Sequence, residues 1–246
     1  MRILSTLILV LCATVGVYAQ QPSAGNANAR VGELINSSEY ITLSRELPSL
    51  RDKLSKPLNL VSGLVKGEKE CLLYLPLYSE LTSLEIGVAE GATIEALPNP
   101  FRYNIAVFGS SFTHGSCASG AGLTWPAFFS RATGLHVCSF GMSGNSKLQP
   151  MIGEILGNTK ADAYICDAFS NPSVTQIGAR IRPFIEAIRK SNPNAPIIFL
   201  NTIYREARNF SARYEKKEQS RIDYVENIMA AVVKEYKGVY FVNVPN

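Results

Sequence analysis

The chain has 246 residues, 46% of them hydrophobic and 18% charged, with a net charge of +4. That composition predicts a packed core and excludes a disordered chain; the length suits one α/β domain plus a smaller companion. The mild charge excludes a dedicated nucleic-acid binder. The most charged stretch, Arg205 to Arg221, alternates Arg and Lys with Glu and reads as a solvated helix face, not the single-signed stripe a polyanion needs.

The N-terminus opens on Met1 and Arg2, continues as an apolar run from Ile3 to Val17, and offers small residues at Val17 and Ala19. This is the pattern of a signal peptide cut near Ala19, so a secreted or periplasmic mature chain is expected, in an oxidising compartment. The run is too short for a stable membrane span. Cys12 falls within the leader. Cys71, Cys117, Cys138 and Cys166 have no metal-ligand spacing, and the chain has only two histidines, so neither a metal nor a cofactor is expected. Cys138 and Cys166 lie in apolar, strand-like runs, as ordinary buried thiols do.

Residues 20–100 read as a loose leader followed by a partial β-rich module. Within it, Cys71 to Leu77 and Leu81 to Val88 are two predicted strands around a turn near Ser79 and Glu80, and Leu97-Pro98-Asn99-Pro100 is a linker. From Phe101 the pattern becomes regular. Predicted strands at 104–108, 136–140, 163–167, 196–200 and 239–242 alternate with predicted helices at 123–133, 148–156, 174–190 and 211–236. The helix from Val174 carries Ile177, Ile181, Phe184, Ile185 and Ile188 at helical spacing. Strands alternating with helices imply an α/β three-layer sandwich around a parallel sheet, whose chemistry collects at the carboxyl ends of the strands.

Three strand ends carry candidate chemistry. Gly109-Ser110-Ser111-Phe112-Thr113-His114-Gly115 follows the first strand and can present a serine hydroxyl at the top of the sheet, though it departs from the G-x-S-x-G elbow. Ser143-Gly144-Asn145 follows the second, where glycine lets the backbone approach a ligand and offer its N–H. Asp167-Ala168-Phe169-Ser170-Asn171-Pro172 follows the third; Asn171 is either a helix cap or an amide donor. Each alone is compatible with an ordinary turn. Together they supply a hydroxyl, a backbone donor and an amide donor, the kit for acyl transfer.

On these motifs the chain resembles the SGNH (GDSL-type) hydrolases, in the branch with an N-terminal β module. The resemblance covers roughly residues 70–205. It implies a flavodoxin-like sheet, Ser111 as nucleophile with Ser110 replacing the usual Asp, and Gly144 and Asn171 as oxyanion donors. His114 and Asn145 stand as candidate substrate-binding residues. The family further implies an Asp-x-x-His block after the fifth strand, with the His as general base. Residues 101–246 contain no such block, so the hydrolase-like domain is expected to be cut short at its C-terminus, and the chain alone to be nearly inert. His136, at the start of a strand, is expected to be structural. The function expected is an exported ester hydrolase for acyl or acetyl esters on small molecules or glycans; the alternative is a non-catalytic, carbohydrate-binding pseudo-hydrolase. A flavodoxin-like nucleotide binder is disfavoured because no loop has phosphate-binding form.

Overall fold

The structure, a computed structural model, describes residues 6–12, 67, 69–78, 86, 88–96 and 101–243. The chain divides into two compact units: residues up to Tyr103 with His114–Phe140, and Asn104–Thr113 with the chain from Gly141 onward.

In the first unit three parallel strands form a small sheet in the order β2-β1-β3: β1 (Thr6–Cys12), β2 (Lys69–Tyr74) and β3 (Thr93–Ala96). The predicted strand from Cys71 is thus observed as β2, beginning two residues earlier and ending at Tyr74. Its predicted partner from Leu81 falls mostly outside the described residues, and β3 is a strand the sequence pattern does not announce. β1 lies inside the run read as a leader. Helix α2 (Trp125–Thr133) starts where the Thr124 hydroxyl accepts the Ala127 N–H at 3.3 Å and ends at Gly134 in the left-handed conformation.

The main sheet has five strands in the order β5-β4-β6-β7-β8: β4 (Asn104–Gly109), β5 (His136–Gly141), β6 (Ala163–Asp167), β7 (Ile197–Leu200) and β8 (Val239–Val242). The β4–β6, β6–β7 and β7–β8 pairs are parallel. Ile105 to Gly109 and Tyr164 to Asp167 are buried at consecutive positions, so both faces of these strands are covered. This is why they read as unbroken apolar runs and not as alternating ones.

The connecting helices follow their sequence signals. Helix α3 (Pro150–Asn158) opens on proline. Helix α4 (Val174–Ser191) begins with a capping box: the Ser173 hydroxyl accepts the Gln176 N–H at 3.2 Å, and the Gln176 amide oxygen accepts the Ser173 N–H at 2.9 Å. Its predicted stripe, Ile177 to Ile188, is fully buried. Helix α5 (Ala212–Glu235) is capped by Ser211 and buries Val225, Met229 and Val232. No described helix is long and apolar enough to cross a membrane.

One expectation is corrected here. The Arg205–Arg221 stretch is not a uniformly solvated face. Residues 206–210 form a separate 3-10 turn, and Glu218 is only 3% exposed. The carboxylate tolerates burial because Arg205 pairs with it directly and Arg221 lies 3.9 Å away.

Candidate active site

The strand order places β4 between β5 and β6, so the chain leaves β4 in one direction and returns on its other side. The β4/β6 boundary is the topological switch point, where open α/β sheets build ligand sites beyond their carboxyl ends. Ser111 follows β4 and Asn171 follows β6.

The turn after β4 is set by a buried carboxylate on the neighbouring strand. Gly109 faces Asp167 across the β4–β6 register. A Cβ built on Gly109 would run into the Thr113 side chain and stand 2.9 Å from the Asp167 Cβ, so only glycine fits. Ser110 is fully buried. It donates its hydroxyl to Asp167 Oδ2 at 2.6 Å and its N–H to the same oxygen at 3.1 Å, while its Oγ accepts the Phe112 N–H at 3.3 Å. Thr113 donates to Asp167 Oδ2 at 3.0 Å and Ser170 to Oδ1 at 3.4 Å. Ser111, half-buried, opens the single helical turn α1 (Ser111–His114) inside this clamp. Burial pushes the Asp167 carboxyl above the usual range; the hydrogen bonds from Ser110, Thr113 and Ser170 pull the other way without cancelling it.

The second loop carries Gly144 at φ +73°, exposed, in a turn held by the Asn145 and Ser146 N–H groups donating to the Met142 carbonyl at 2.9 and 3.1 Å. Nothing among the described residues accepts the Gly144 N–H. Met142 donates its own N–H to the Gly109 carbonyl at 2.8 Å, which ties this loop to the end of β4. Asn145 is exposed and anchored through its backbone, its carbonyl accepting from the Gln149 amide at 2.8 Å.

The third loop is fixed from two sides. Arg221 donates to the Ser170 carbonyl at 2.7 Å, and the buried Ser146 hydroxyl donates to Asn171 Oδ1 at 2.8 Å. With its oxygen occupied, the Asn171 amide presents its nitrogen as the remaining group, a donor. Ser110, Thr113, Ser146 and Asp167 therefore hold the three loops that carry Ser111, Gly144 and Asn171.

The histidines are engaged elsewhere. His114 places Nε2 2.6 Å from the Leu77 carbonyl and stacks on Tyr78 with ring centroids 3.8 Å apart. His136 opens β5, lies against Phe101 at 5.4 Å, and is held below its ordinary pKa by burial. Cys166 is buried, Cys71 and Cys138 are half-buried and Cys117 is exposed. No cluster of metal-ligating side chains occurs among the described residues.

Sequence reasoning singled out the three loops but missed the residues that hold them. Asp167 reads as the last residue of an apolar strand. Its signal was the pairing of two deviations: a serine where a carboxylate is usual, and a carboxylate at the end of the adjacent strand.

A five-stranded parallel sheet with a serine at its switch point, a left-handed glycine and an oriented asparagine amide defines the class, an α/β protein on the SGNH hydrolase plan. Comparison with family models gives the same answer. The model of the GDSL-like Lipase/Acylhydrolase family matches residues 102–246, and the chain belongs to that family. A second model, GxDLY, the N-terminus of SGNH-hydrolase-type esterases, matches residues 39–94. Among solved structures, a GDSL-like lipase from Bacteroides ovatus ATCC 8483 is 36% identical, with a TM-score of 0.64, over 70% of this chain and 51% of its own. A salicylyl-acyltransferase from a tetracycline biosynthetic pathway shares the fold at 21% identity and a TM-score of 0.51, over 57% of this chain and 42% of its own. The chain thus spans about half the length of these structures or less. Comparison with curated proteins gives no match.

Proposed function

We propose that the protein is an exported serine ester hydrolase in which Ser111 attacks an acyl or acetyl ester of a small molecule or glycan. The observation that carries this reading is the Ser146 hydroxyl on Asn171 Oδ1, since it turns the asparagine into a one-way donor. Ser111 Oγ forms a bond to the ester carbonyl carbon as its proton passes to a general base. The resulting oxyanion is held by the N–H groups of Ser111 and Gly144 and by Asn171 Nδ2. Collapse expels the alcohol, protonated by the same base, and water then releases the acid. His114 and Asn145 flank the nucleophile and the oxyanion glycine in sequence and are carried as substrate-side contacts.

The base is sought in an Asp-x-x-His block, a pattern absent from residues 1–246. Without a base, turnover in a serine triad falls on the order of a millionfold. The test is fluorophosphonate labelling of the protein expressed from its natural gene to the stop codon. Rapid labelling of the complete protein, abolished by Ser111→Ala, is the expected result. A folded complete protein that does not label refutes the hydrolase reading, and glycan binding that survives Ser111→Ala would then favour a binding module.

A further inference from the structure

Arg205 follows β7 in the loop leading to the 206–210 turn. Its guanidinium carbon lies 5.9 Å from the centroid of the Phe112 ring, and Phe112 directly follows Ser111. Phe112 is 38% exposed, so its ring is not sealed into the core. Arg205 uses Nη1 to pair with Glu218; among the described residues nothing takes its Nε or Nη2.

The charge around Arg205 does not balance. Glu218, its side chain 4% exposed, is shared with Arg221, whose side chain is 15% exposed and which also donates to the Ser170 carbonyl. Two guanidiniums against one carboxylate leave one positive charge in a cluster largely removed from water. Neighbouring acids do not offset it: Glu215 is taken up by Arg208 at 2.5 Å, and exposed Glu206 makes no ion pair among the described residues. A half-buried guanidinium with an open edge is a fork for a carboxylate, and an aromatic ring beside it favours a planar group.

We propose that Arg205 and Phe112 form an anion subsite next to the nucleophile, and that the substrate carries a carboxylate on or next to a flat group. The word substrate rests on the hydrolase reading; the binding of a carboxylate does not.

The test uses benzoate as probe and benzamide as its neutral counterpart, with dissociation constants measured on the complete protein by calorimetry or ligand-observed NMR. A charge-assisted bidentate contact predicts that benzoate binds about tenfold tighter than benzamide. Arg205→Gln should bring benzoate down to the benzamide level. Glu218→Gln, which removes the competing carboxylate, should tighten benzoate and keeps the proposal testable if Arg205→Gln does not fold. Equal affinity for the two probes, or unchanged benzoate binding in a folded Arg205→Gln, overturns the subsite. Benzoate selectivity in a protein whose Ser111 does not label would leave the subsite standing while the hydrolase reading fell.

Discussion

Removing the Asp167 carboxyl tests the architecture of the nucleophile turn. In Asp167→Ala three buried donors, the Ser110 N–H, the Ser110 hydroxyl and the Thr113 hydroxyl, lose the one oxygen they share. A buried polar group left without a partner costs about 1–3 kcal/mol, and the two hydroxyls can rotate toward other acceptors, so the total expected is about 3 kcal/mol. For a chain of this size that is a fall in Tm of roughly 6–12 °C. Asp167→Asn behaves differently. Its carbonyl oxygen can replace Oδ2, and its amide can donate to the Ser170 hydroxyl, which now stands 3.4 Å from Oδ1. Its cost is expected to stay within about 1 kcal/mol at neutral pH. The two variants also separate with pH. Asp167 is raised above its ordinary value of 3.8, so the folded state holds the proton more tightly than the unfolded one. The stability this brings is complete below the unfolded value and is lost as pH rises through the folded one. Asp167→Asn should therefore gain on the wild type as pH rises from about 4 toward 7. Thermal unfolding by circular dichroism across that range is the assay. An Asp167→Ala variant within about 2 °C of wild type would refute the shared-acceptor account.

Other consequences are simpler to reach. Ser146→Ala frees the Asn171 amide to rotate and should slow Ser111 labelling and lower kcat about tenfold or more, with KM little changed and recovery in Ser146→Thr; an unaltered labelling rate would remove Ser146 from the site. Iodoacetamide at pH 8 should modify exposed Cys117 first and spare Cys138, whose thiol burial pushes up to about 11, and Cys166, which is pushed higher still. Peptide mass spectrometry reads the order directly, and early modification of Cys166 would mean that β6 opens.

The α/β plan was legible because buried parallel strands and amphipathic helices write themselves locally. The stripe from Ile177 to Ile188 and the capping pair Ser173 and Gln176 are complete within one segment. The small sheet was not: Thr93–Ala96 is exposed at every position, so no period-two pattern marks it. At the site, Ser111, Gly144 and Asn171 could be found because each sits in a turn of distinctive residues. Asp167 and Ser110 are 57 residues apart, and Ser146 and Asn171 are 25 apart. Neither pair has meaning until the strands are placed side by side. The same holds for Glu218, whose sequence surroundings are those of a surface helix and whose burial depends on Arg205.

The nucleophile turn also limits which substitutions this chain can accept. The resemblance implies an Asp at the position of Ser110; in this chain a buried carboxylate lies instead on the adjoining strand, 2.6 Å from the Ser110 hydroxyl. Ser110→Asp would set two carboxyls against each other in a buried space, where both cannot ionise. The substitution that looks most conservative by family pattern is thus incompatible with this background unless Asp167 changes with it. Positions 110 and 167 share one buried space and one set of hydrogen bonds, so a charge can be moved between them but not added.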